Sequence, residues 1–197
     1  MRSDGKRNRS AVLQSAGELV RESGAAITMN AIAENAGVSV ATAYRRFPSV
    51  ESVFEAYMLD VAQELRLFSM SLESEGVALL PQVARKWVDL CLVHGPATVH
   101  MRSRRGYLER LREGTDYLMA IRDALLRPIL QAAEMQGLEH DVRHEEHALF
   151  LWNIIFDPRE ILDLHSQMDL TAAQCTEQLM AAFQGALIAW LPAKMAS

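Results

Sequence analysis

Apolar residues recur along this chain at three- and four-residue spacing, broken by Gly, Pro and short polar caps. Convincing apolar–polar alternation of the strand type is absent. The pattern predicts helices. Val12, Leu13, Ala16, Leu19 and Val20 make a first stripe, with Gly24 where that helix should stop. Thr28 is placed to cap a short second helix with apolar positions Met29, Ile32, Ala33 and Ala36, closed by Gly37. Ser39 can cap a third helix to about Phe47, because its side-chain oxygen can take an orphan amide. Pro48-Ser49 opens a fourth, with Val53, Phe54, Tyr57, Val61 and Leu65 on one stripe.

The same vocabulary continues beyond residue 50. Pro81 suits the first turn of a helix to about His94, which Gly95-Pro96 is expected to break. Gly106 and Gly114 bracket a polar, Arg-rich helical stretch. A longer helix is expected from about Asp116 to Gln136, with Pro128 as a kink site. Asp141 can cap the next, Asp157-Pro158 restarts another, and Thr171 with Gln174 makes a capping box for the last, which ends before Pro192. The expected fold is all-α, with about eight to ten helices. Its division is an N-terminal helix-turn-helix unit over residues 1–50 and a helical body over residues 51–197.

Charge sharpens that division. Residues 1–48 carry seven Lys and Arg against four Asp and Glu, a net +3 in a chain whose total is −5, so the remainder is −8. A basic head on an acidic body points to a polyanion contact confined to the head. Cys91 and Cys175 form no disulfide framework and lack metal spacing, which fits buried structural thiols. The charged N-terminus is followed by Gln and Glu rather than a signal-peptide core, and the apolar run "ALFLWNIIF" is too short to span a bilayer. The expected location is the cytoplasm, without a membrane partner.

The stretch "GVSVATAYRRF", Gly37 to Phe47, carries the chemistry. Two short helices joined at a Gly-containing turn are the helix-turn-helix arrangement, whose second helix enters the major groove of double-stranded DNA. Val40, Ala41 and Thr42 are short enough to let backbone approach base edges, and Thr42 can hydrogen-bond. Tyr44, Arg45 and Arg46 are long enough to reach phosphates, while Ala43 and Phe47 should face inward.

"TMNAIAENAGVSVATAYRRFPSVESVFEAY" resembles the N-terminal signature of TetR-family transcriptional regulators. The resemblance covers about the first 60 residues. It implies that Thr28 holds a phosphate at the start of the second helix. Ser39, Val40, Ala41, Thr42, Tyr44 and Arg45 would form the contacting face, with Lys6 and Arg7 on the flanking backbone. Val50 departs from the pattern: such regulators usually place Lys there, a phosphate contact, so this chain should neutralise one phosphate fewer or lean on Arg45 and Arg46. A ligand-responsive, homodimeric repressor is the implied function; no cofactor or catalytic residue is expected.

The body must be read from its own residues. Trp87, Cys91 and His94 share a helical face and are the first choice for the wall of a small-molecule site, with Met101, Tyr107, Tyr117 and Trp152 as further lining. His140, His144 and His147, at i, i+4 and i+7, suggest the alternative of a helical metal-dependent enzyme. Arg102, Arg104, Arg105, Arg110 and Arg112 could take an acidic effector such as an acyl thioester, but pairing with Glu109 and Glu113 is the expected use. In "QLMAAFQGALIAW", the small residues Ala182, Gly185, Ala186 and Ala189 are flanked by Leu179, Phe183 and Trp190. With Phe150 and Ile154 of the preceding apolar helix, they are expected to form a two-fold dimer interface.

Overall fold

The computed structural model describes residues 2–22, 27–100, 105–135 and 142–190. Among the described residues it holds ten α-helices, a 3-10 turn at Gly76–Ala78 and no strand. The head contains α1 (Arg2–Glu22), α2 (Met29–Asn35) and α3 (Val40–Arg46). Both expected caps are present: Ala31 N–H donates to Thr28 Oγ1, and Thr42 N–H to Ser39 Oγ, each at 3.2 Å. Gly37 sits between them at φ +64°, in the left-handed region that a side chain resists. One apolar cluster joins the three helices through Val12, Leu13, Ala16, Ile32, Ala33, Ala43 and Phe47. Val53 and Phe54, from the first turns of α4 (Val50–Ser71), complete it. Farther along, α4 gives Met58, Val61, Ala62 and Leu65 to a second cluster. The amphipathic stripe foreseen on α4 therefore serves two cores in succession.

The second core is built around α5 (Leu79–His100), against which α1, α4, α7 (Asp116–Met135), α9 (Pro158–Gln167) and α10 (Ala172–Trp190) pack. The two remaining helices, α6 (Tyr107–Arg112) and α8 (Val142–Ile155), close the side next to α7. Most of the predicted punctuation is found. Arg159 N–H donates to Asp157 Oδ1 at 2.9 Å, opening α9 with Pro158 in its first turn. Thr171 and Gln174 cap α10 reciprocally, at 2.9 and 3.3 Å. The expected helix stop at Gly24 and the caps or ends at Gln136 and Asp141 lie outside the described residues.

One expected break does not occur. α5 runs through Gly95 and Pro96 to His100. Pro96 removes one backbone donor, but buried Cys91 and Ala97 hold the helix on either side of it, so packing outweighs the missing bond. Gly95 serves close approach rather than termination: a Cβ there would lie 2.7 Å from Leu162 Cδ1 on α9. α7 likewise continues through Pro128, which is buried within it.

Candidate nucleic-acid interface

On α3 the inward side is Ala43 alone, with Phe47 buried just past the helix end. The other positions form an exposed or half-buried face: Val40 and Tyr44 are 38% and 52% exposed, and Ala41, Arg45 and Arg46 are exposed. A helix that buries one methyl group in seven residues is held mainly by its caps and its two flanking turns. Ser39 Oγ and Thr42 Oγ1 lie 2.8 Å apart and share a hydrogen bond, so one hydroxyl proton remains for an external acceptor. Thr28 Oγ1 accepts from Ala31 and keeps its own proton to donate.

The two arginines of the run separate. Arg45 is exposed, whereas Arg46 Nη2 donates to the Gly5 carbonyl on α1 at 2.9 Å. Arg46 therefore ties the recognition helix to α1 with one of its five donors. Val50 is half-buried against the head cluster, so its side chain covers apolar surface. Arg7 is exposed; the side chain of Lys6 lies outside the described residues.

On α5 each residue of the expected effector wall is engaged within the chain itself. Trp87 Nε1 donates to the Phe156 carbonyl at 3.0 Å, Cys91 is buried in the core, and His94 Nδ1 shares a hydrogen bond of 2.6 Å with Tyr57 Oη on α4. Burial pushes the Cys91 thiol well up, with nearby Asp157 acting in the same direction, so it is a neutral packing group. Tyr107 and Tyr117 are buried, Tyr107 with its hydroxyl pushed up by burial to about 12. Tyr117 Oη accepts from Arg110 Nη1 and also lines a cleft of about 460 Å³ between Ser52, Glu55 and Leu59 of α4 and the turn into α7. Trp152 stacks on Phe156 at 3.9 Å between ring centres and meets Phe183 edge-on at 5.7 Å. Among the described residues, the buried donors Trp152 Nε1 and Arg110 Nε find no acceptor. Neither was singled out in the sequence for this reason, because an orphan donor is a property of packing. Met101 lies outside the described residues.

The last helices need a correction. Phe183 is 0% exposed and Leu179 is buried, both inside the chain's own core, so neither offers surface to a second subunit. Helical rotation turns the small residues the other way: Ala182, Gly185 and Ala189 are exposed and Ala186 is half-buried, while the Trp190 side chain is not described. Ile154 on α8 is 51% exposed, Ile188 on α10 is 58% exposed, and Phe150 is half-buried against the core. A Cβ at Gly185 would meet nothing within 4 Å. Of the histidine trio, His144 and His147 lie on α8 and His140 is outside the described residues; no group of three metal-binding side chains occurs among the described ones. Arg105 is paired with Glu109 and Glu113, and Arg112 with Glu146, so the described part of the arginine cluster is largely ion-paired. No described helix is long and apolar enough to cross a membrane.

Residues 12–57 match the family of bacterial regulatory proteins described as the tetR family. No curated protein matches the chain. Solved structures share its fold over nearly the whole length. A TetR transcriptional regulator from Rhodococcus sp. RHA1 is 19% identical, with TM-score 0.65, covering 96% of this chain and 100% of that one. A TetR-family regulator from Streptomyces coelicolor is 21% identical, with TM-score 0.63 and coverage of 93% and 81%. The TetR-family repressor FadR from Thermus thermophilus, solved with lauroyl-CoA, is 20% identical, with TM-score 0.62 and coverage of 96% and 98%. The match to the tetR family is confined to the head, and over nearly its whole length the chain shares the fold of these solved TetR-family regulators.

Proposed function

We propose that this protein is a homodimeric repressor whose residues 1–50 read an operator and whose body, residues 51–197, binds a small-molecule effector that shifts the dimer away from DNA. The observation that carries the reading is the exposed polar face of α3 on a head that matches the family. In this reading Val40, Ala41 and Thr42 face base edges, and Thr28, Ser39, Tyr44 and Arg45 contact phosphates together with Lys6 and Arg7. Arg46 is given a positioning role, because its guanidinium already holds α1. Two heads on a two-fold axis would meet half-sites about one helical turn apart or a multiple of it.

For the dimer, the support is the exposed small-residue face of α10 beside Ile154 and Ile188. For effector binding, the support is the pair of buried donors at Arg110 and Trp152, on helices that pack together. An effector carrying a hydrogen-bond acceptor would satisfy them. The lauroyl-CoA of the Thermus thermophilus relative is not carried over, since Arg105 and Arg112 are already held by carboxylates. Selection from a randomised duplex library should recover a two-fold site on the wild-type protein. On that site, Tyr44→Ala and Arg45→Ala should each weaken binding about tenfold with unchanged helix content, and Arg45→Ala should lower the salt slope by about one. Wild-type affinity in both variants across a salt series would sink this docking.

A further inference from the structure

Tyr57 occupies an unusual place: its ring packs against both apolar clusters, that of the head and that of the body. It lies on α4 between Phe54, buried in the head core, and Met58, buried in the body core. On one side its ring fills the space above Gly17 of α1, where a Cβ would come within 2.7 Å of the ring and its hydroxyl. On the other side Tyr57 Oη and His94 Nδ1 share a hydrogen bond of 2.6 Å, and the two rings meet edge-on at 5.6 Å and 70°. His94 stands one turn before Ala97, which α5 buries in the head cluster. Three helices thus converge on one side chain at the place where the head joins the body.

From this convergence we propose that Tyr57, seated on Gly17 and bonded to His94, is the lock that sets the angle of the reading head on the body. The proposal rests on the reading of the chain as a two-headed regulator. Among the described residues, the Arg9–Asp60 pair is a side-chain tie between the head helices and α4. That pair is bidentate at 3.0 Å but exposed, and exposed pairs hold geometry weakly. The Tyr57–His94 bond, between α4 and α5, is half-buried, directional and short, so it fixes where the Tyr57 ring sits against Gly17 of α1, and with it the head angle, in a way that apolar packing does not. Glycine at position 17 is then required by the seat: alanine is the better helix former, but its methyl group would displace the Tyr57 ring. Tyr57 and His94 act as positioning residues, since neither needs to touch DNA.

The test uses full-length protein. Spin labels at Gln14→Cys on α1 and Asp163→Cys on α9 report the head–body distance, with labelled chains diluted into an excess of unlabelled ones. The native cysteines are buried and should stay unlabelled. Tyr57→Phe keeps the ring and removes the hydroxyl, and His94→Phe keeps a ring and removes the nitrogen. Each should broaden a distance distribution that is narrow in the wild type, and the double variant should be no broader than either alone. Gly17→Ala should shift the mean distance while leaving helix content intact. On the selected duplex, the ratio of paired-site to single-half-site affinity should fall about fivefold in each single variant, the order of one neutral hydrogen bond. His94→Asn, which returns a polar atom near the Nδ1 position, should recover part of that ratio. Distance distributions as narrow as the wild type, or equal losses on paired and single sites, overturn the lock. If the wild type selects no duplex at all, the regulator reading fails, while the label distances still decide the lock.

Discussion

Helices α3 and α10 both leave most of their surface uncovered, yet they do so with opposite chemistry. α3 buries only Ala43 and exposes hydroxyls, a phenol and guanidinium groups. α10 buries Cys175, Leu179, Met180 and Phe183, and beside exposed Glu177, Gln178 and Gln184 it shows a strip of alanines, Gly185 and Ile188. Water solvates the first face at little cost, and a polyanion can replace that water with charge-assisted bonds. The second face gains from leaving water, and its small residues let another backbone come close. What is exposed matters less than whether water is a good partner for it. On that ground the proposed function gives α3 to nucleic acid and α10 to a second copy of the chain.

Substitutions on α10 can break the comparison most sharply, because its two sides should respond in different currencies. Phe183→Ala should cost about 3–5 kcal/mol of folding stability, since it opens a cavity beside Trp152 and Phe156. Urea unfolding in a monomeric background would measure it, and a loss below about 1 kcal/mol would mean that Phe183 is not core. Gly185→Arg, two positions on, has open space around it in the single chain and should leave fold intact. In the dimer it would insert a long charged side chain between closely packed helices. The variant should sediment as one chain and lose at least about 100-fold in specific operator affinity, because the second head no longer binds as part of the same molecule. A normal dimer with normal affinity would move the interface off this face.

On the head, a smaller gain is expected. Val50→Lys would restore the phosphate contact usual for the family while its aliphatic stem still covers the apolar cluster. Operator affinity should rise a few-fold at low salt and the salt slope should steepen by about one. An unchanged slope would show that residue 50 lies away from the duplex. The smallest effect belongs to the joint between the regions. Burial holds the His94 imidazole below its usual pKa, with Glu64 opposing and Arg21 and Lys86 reinforcing the shift. A histidine depressed in the folded state stabilises the fold fully above its unfolded pKa, near about 6.5, and the contribution is lost as pH falls through the folded value. The melting temperature should therefore drop between about pH 7 and pH 5 more steeply in the wild type than in His94→Phe. His147, also held down by burial and by His144, shifts in the same sense in both proteins, so the difference isolates His94. Parallel curves would leave His94 without this role.

The head was legible in the chain because its signals are local. A cap at Thr28, a turn at Gly37, a cap at Ser39 and a short inward residue at Ala43 act within a few positions of one another, and each appears where the spacing puts it. Local signals misled at Gly95-Pro96, where long-range packing by Cys91, Ala97 and Leu162 overrides the tendency of the pair to end a helix. The sequence by itself determined the helical class, the caps and the motif that marks the head. Only the tertiary structure decided the rest. It turned Phe183 inward and Gly185 outward, drew Arg46 back onto α1, left Trp152 Nε1 and Arg110 Nε without acceptors among the described residues, and brought Gly17, Tyr57 and His94 together. Those outcomes depend on which helices share a core and at what rotation. That is set by the summed burial of many side chains far apart in the chain, which no short stretch encodes.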